Sequence, residues 1–241
     1  MESQRDEKLR SIHNAAGLVT PDGMPLVWLS RWMGFSHVRR VYGPDLMLAL
    51  CARSEQLGYR NYFYGGAAGV AEKLAARLHS RFPGLNVAGM YAPPFRMLTP
   101  AEDMAIVNTI NSAEPDIVWV GMSTPKQERW MAEHVGRLCA PALIGVGAAF
   151  DFLAGLKKQA PAWMQKSGLE WSFRLMSEPG RLWRRYLINN PLFLWLLALQ
   201  ALQDRRNTAA ADYPAATNGG VRIHRSKLGD LKPGTPPDVG R

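Results

Sequence analysis

The stretch Glu114–Met131, EPDIVWVGMSTPKQERWM, holds an apolar run, a break at Gly121 and a polar loop that carries Pro125, Lys126, Gln127 and Glu128 into an expected helix. Strand, glycine-containing loop and helix start, in that order, offer an anion free N–H groups and a partial positive charge, and Lys126 adds a full one. An ordinary βα turn of a parallel sheet has the same pattern. A second candidate is Gly65-Gly66-Ala67-Ala68-Gly69, which follows the aromatic strand Asn61–Tyr64. It matches neither GxGxxG nor the P-loop, so it speaks for close approach of a ligand to the backbone rather than for a dinucleotide or ATP. Gly147 and Asp151 stand just beyond an expected strand at Leu143–Val146.

Other side chains suited to this chemistry lie to either side. Asp22 follows the short apolar run Gly17-Leu18-Val19 and precedes Gly23; it is free to meet a ligand at the mouth of a βα loop, or it caps the next helix. Arg40 and Asp45 flank the Gly43-Pro44 break, where Asp45 is an adequate N-cap and Arg40 has either a neighbouring carboxylate or a ligand to pair with. Arg174, Arg181 and Arg185 fall near one face at about 3.6 residues per turn if the helix runs through, although Pro179 bends it. Arg184 lies beside them, and Trp171, Phe173, Leu182 and Trp183 interleave. That stripe reads as packed on one side and open to phosphate on the other.

The elements that must position these residues alternate. Strands are expected at Asn61–Tyr64, Leu85–Ala88, Ile117–Val120 and Leu143–Val146, each followed by a loop and, after most, a helix. Thr99-Pro100-Ala101-Glu102 is a capping box with proline at N1. The result is an α/β fold: a Rossmann-like, largely parallel sheet flanked by helices, with its site at the carboxyl ends of the strands. Residues 1–155 form the expected catalytic domain, 156–203 a helical basic and apolar appendage, and 204–241 a polar tail read as disordered. Within the appendage, Pro191–Leu202 is apolar nearly all round and flanked by arginines. It falls short of the roughly 20 residues that cross a bilayer, so it suits the membrane interface, or else burial in the domain or an oligomer contact.

Composition narrows the partners. Lys and Arg number 29 against 20 Asp and Glu, a net charge of +9, which fits a nucleotide diphosphate, an acidic membrane surface or nucleic acid. Nucleic acid is the weaker of these, because the arginines sit among tryptophans rather than in an open patch. The two cysteines, Cys51 and Cys139, stand alone, so neither a zinc site nor a disulfide framework is inferred. No cofactor is required by any motif. The opening MESQRDEKLRSIHNAAG lacks the apolar core of a secretory signal, which leaves the cytoplasm as the expected compartment.

Taken together, PDGMPLVW, RVYGPDL, PDIVWVGMSTPKQERW, GVGAAFDFLAG and LEWSFRLMSEPGRLWRRYL resemble the WecG/TagA/CpsF glycosyltransferases of bacterial cell-surface polysaccharide synthesis, over about Leu18 to Phe193. The resemblance implies an inverting transfer of a sugar from a UDP-sugar to a polyprenyl-diphosphate-linked saccharide, at the cytoplasmic face of the plasma membrane. The sugar it implies is of N-acetylmannosamine type, its uronic acid or a glucose type. It implies that Asp22 is the general base and that Gln127 helps hold the nucleotide-sugar. Arg174, Arg181 and Arg184 would close over the site and neutralise the leaving diphosphate. No DxD pair occurs, so no metal is called for and the arginines take its place. Family members carry a further βα unit ahead of PDG, with a Thr-x-Asn segment, whereas here 21 residues precede Asp22. An inactive, membrane-surface binding relative is therefore the alternative expectation.

Overall fold

Alternation along the strands decides which way each helix packs. The computed structural model describes residues 2–208 of the chain. Helices α1 Glu2–Arg5, α2 Glu7–Ala15, α3 Met24–Trp32 and α4 Gly43–Leu57 come first. Then follow β1 Arg60–Gly65, α5 Val70–Arg81, β2 Asn86–Tyr91, α6 Pro100–Ser112, β3 Ile117–Gly121, α7 Lys126–His134 and β4 Ala142–Gly145. Short helices α8 Ala149–Leu153, α9 Ala162–Lys166 and α10 Glu170–Ser177 lead to the long α11, Pro179–Thr208.

The four strands form one sheet in the order β2-β1-β3-β4, and every pairing is parallel. The chain steps from β1 outward to β2, then crosses back to β3 on the other side of β1. Right-handed crossovers place α5 on one face and α6 and α7 on the other. The core divides accordingly. Phe63, Ile117 and Trp119 pack with α4, α5 and α8, whereas Tyr62, Tyr64, Val118 and Val120 pack with Ile106, Val107 and Ile110 of α6. Because β3 is buried on both faces, its run of apolar residues is unbroken. Cys51 of α4 is fully buried in the first cluster, while Cys139 is exposed.

Several local expectations are met. Thr99 Oγ1 accepts from Glu102 N at 3.2 Å and Glu102 Oε2 from Thr99 N at 2.8 Å, completing the capping box. Others are corrected. The apolar run Gly17-Leu18-Val19 ahead of the Asp22 loop forms no strand, and Leu18 is 81% exposed. No strand of the sheet pairs with this short run, so its backbone groups have no ladder to join. The N-cap of α4 is Tyr42, with Asp45 in its first turn. Glu178 ends α10 before α11 begins at Pro179, so the arginine stripe does not lie on a single helix. The apolar segment from Pro191 is continuous with α11, which runs through residues 204–208, where the tail was expected to begin. The rest of that tail, 209–241, lies outside the described residues.

Residues up to Phe193 belong to one compact unit and those from Leu194 to a second. Among the described residues, no helix is long and apolar enough to cross a membrane.

Candidate active site

Strand order reverses between the carboxyl ends of β1 and β3, the usual place for a ligand crevice in a parallel sheet. Glycines line it because backbones meet there. Gly66 N donates to Gly121 O at 2.9 Å. A side chain on Gly65, whose φ is 125°, would stand 2.5 Å from the same oxygen. A side chain on Gly121 would strike the Phe150 ring at 2.5 Å. At the end of β4, Gln127 is buried and its Oε1 accepts from Gly147 N at 2.8 Å. The side chain expected to hold a nucleotide-sugar thus ties α7 to the β4–α8 loop.

Two of the N–H groups expected to be free at the start of α7 are already satisfied. Lys126 N and Gln127 N both donate to Ser123 O, at 2.9 and 3.2 Å. The side chain of Lys126 remains exposed. Glu128 accepts from Thr124 Oγ1 at 2.9 Å and leaves its second oxygen buried without a donor.

Asp22 stands in a second cluster, joined to the first through α8. A side chain on Gly43 would meet Val146 O at 3.0 Å, so the start of α4 abuts the loop after β4. Tyr42 lies 6.4 Å from Phe152, ring to ring, and carries Arg40 over its face at 4.4 Å. Arg40 then reaches three elements. Its Nε donates to Asp22 O, its Nη1 to Gln165 Oε1 at 3.3 Å, and its Nη2 to Glu170 Oε2 at 2.5 Å. Val41 N donates to Pro21 O at 3.0 Å, which lays the Asp22 loop alongside. From the other side, the α9–α10 turn packs on α3 so tightly that a side chain on Gly168 would stand 2.7 Å from Trp28.

The Asp22 carboxylate has no capping role, since Gly23 is the N-cap of α3 and makes no side-chain cap bond. Its side chain is 69% exposed and stands 3.9 Å from Arg40 Nη2. The protein packed around the loop partly desolvates the carboxylate. That desolvation raises its pKa; Arg40 opposes the rise, Glu170 adds to it and Arg174 opposes it. Burial pushes the Tyr42 phenol up as well, with Glu170 and Asp22 reinforcing it, and its hydroxyl is buried without a partner.

The structure places Asp22 and Arg40 in one cluster with Tyr42, Gln165 and Glu170, and Arg174 lies on the same helix as Glu170. Glu170 lies inside the LEWSF block, but only a contact spanning 130 residues shows what it pairs with. Asp151 is paired with Lys157 Nζ at 3.2 Å. Asp45 is exposed in the first turn of α4. Arg184 stacks at 5.2 Å on Trp183 of its own helix, and the side chain of Arg181 lies outside the described residues. Among the described residues, no group of three His, Cys, Asp or Glu side chains could hold a metal ion.

A comparison with protein families matches residues 1–207 to the Glycosyl transferase WecG/TagA/CpsF family. The chain belongs to this family. Similar curated relatives are N-acetylglucosaminyldiphosphoundecaprenol N-acetyl-beta-D-mannosaminyltransferases. That of Bacillus spizizenii is 29% identical over 186 residues, 77% of this chain and 70% of the relative. That of Bacillus subtilis is 28% identical over 204 residues, 84% and 75% of the two chains. A Staphylococcus aureus relative is 29% identical, with 77% and 70% covered. In the family member described here, Arg40 joins the PDG loop to the LEW helix, and Gln127 ties the PKQE helix to the loop before α8.

Proposed function

We propose that this glycosyltransferase moves an N-acetylmannosamine-type sugar from a UDP-sugar to a polyprenyl-diphosphate-linked saccharide, with inversion, at a membrane surface. The observation that carries this reading is Asp22: a carboxylate open to solvent, uncommitted to a cap and 3.9 Å from the Arg40 guanidinium. The names of the relatives support the sugar and the lipid-linked acceptor. In the proposed step, Asp22 takes the proton of the acceptor hydroxyl as its oxygen bonds to the anomeric carbon. The glycosidic bond electrons leave with UDP, and Arg174, Arg181 and Arg184 neutralise the diphosphate as its charge develops. Gly65, Gly66 and Gly121 let the strand ends close together into the crevice floor under the donor, Lys126 supplies a cation at the α7 start, and Gln127 supports the pocket by fixing Gly147.

The membrane contact rests on α9–α11, where Trp163, Trp171, Trp183, Leu187 and Ile188 are exposed among arginines. Tryptophan with cationic neighbours suits the headgroup layer.

Radiolabelled transfer to a short polyprenyl-diphosphate-saccharide acceptor, with EDTA present, tests the proposal. Asp22→Asn is expected to lower kcat/KM by roughly 100-fold or more while leaving the melting temperature close to wild type. Wild-type turnover that EDTA leaves intact and Asp22→Asn removes upholds it. A folded, vesicle-binding chain with no turnover on any UDP-sugar would instead favour the binding relative.

A further inference from the structure

Arg40 has two carboxylates in reach, and one of them holds it. Its Nη2 stands 2.5 Å from Glu170 Oε2 but 3.9 Å from Asp22 Oδ1. Arg40 and Glu170 are the confined partners, with 15% and 16% of their side chains exposed. A pair this enclosed is screened less by solvent and salt than an exposed one. Arg40 also donates from Nε to Asp22 O and from Nη1 to Gln165 Oε1, which fixes the plane of the guanidinium. We propose that Glu170 is a positioning residue for Asp22: it holds the Arg40 cation off the carboxylate that takes the proton, and joins α10 to the loop carrying that carboxylate. The inference rests on the transferase reading of the site.

Four groups surround Asp22. Arg40 comes from the loop before α4, Tyr42 from the α4 N-cap, and Glu170 and Arg174 from α10. Glu170 is the one anion among them. Without its charge, two cations face the Asp22 carboxylate and Arg40 loses its nearer partner. Both changes favour the deprotonated form and make Asp22 a weaker base. Activity falls with pH as Asp22 gains its proton, so this acid limb moves to lower pH when Glu170 is neutralised.

Glu170→Gln keeps the shape and an acceptor for Arg40 while removing the charge. The acid limb of kcat/KM and the Asp22 carboxyl titration, followed by carbon NMR and assigned with Asp22→Asn, are expected to move together by about one unit to lower pH. The plateau kcat should fall roughly 3- to 10-fold, as expected for a weaker base. Glu170→Asp should restore the limb, and Gln165→Ala, which removes a neutral partner, should leave it in place. A limb and titration that stay put in Glu170→Gln overturn the proposal, since loosened packing alone would cut rate without moving either. The wild-type chain gives an independent check: Asp22 must titrate above the ordinary aspartate value of about 3.9, and a value below it would mean that Arg40 is already engaged by Asp22. A moved titration in a chain that transfers no sugar would uphold the Glu170–Arg40 link and overturn the transferase reading instead.

Discussion

Arg40 divides one guanidinium among a loop backbone, an amide and a carboxylate, and stacks the same group on Tyr42. A lysine offers a point charge on a flexible stem and could not make this forked set of contacts. Gln127 works similarly with neutral groups, filling the space above Gly145, where a side chain would stand 2.4 Å from its Nε2, and accepting from Gly147. Gln127→Ala should therefore cost about 1–3 kcal/mol, chiefly by leaving the Gly147 N–H unpaired. Chemical denaturation measures that cost, and a raised KM for the UDP-sugar would accompany it if Gly147 shapes the donor pocket. The chemical character of these residues was legible in sequence, their partners much less so. Asp22, Arg40 and Gln127 stand in recognisable blocks, yet whether Asp22 caps a helix or meets a ligand depends on a loop geometry that no local spacing encodes. Glu170 was missed because its partner is distant in the chain.

At the scale of elements, strong local patterns carried through. The unbroken apolar run of β3, the aromatic run of β1 and the Thr99 capping box each specify their structure with few neighbours. Leu18-Val19 failed as a strand because β character counts only beside a partner edge. Pro191 did not end α11, even though it removes one backbone donor from the helix. Helices α9 and α10 are joined to the rest through Arg40 and Trp28, which brings them beside the Asp22 loop. A chain ending before Trp171 keeps Glu170 but loses Arg174 and all of α11. It should lose sugar transfer altogether and bind anionic vesicles more weakly in a sedimentation assay. Full activity of that truncation would remove the C-terminal elements from the mechanism.

Across the molecule, the reversal of strand order sets two cores on opposite faces of one sheet, and the thiols fall on different sides of that organisation. Cys51 lies fully within the first core, where burial pushes its pKa up to about 12, whereas Cys139 is exposed beyond α7. One chain thus carries two copies of the same reagent, one permanently accessible and one released only when the core parts. A thiol-specific dye should label Cys139 in a fast phase and Cys51 in a slow one, and Cys51→Ser should abolish the slow phase alone. Because a thiol reacts as its thiolate, the slow phase runs at the frequency of opening of the α4 face once labelling outpaces reclosure. The protein therefore keeps its own clock of core opening, readable by absorbance with no substrate and no membrane present.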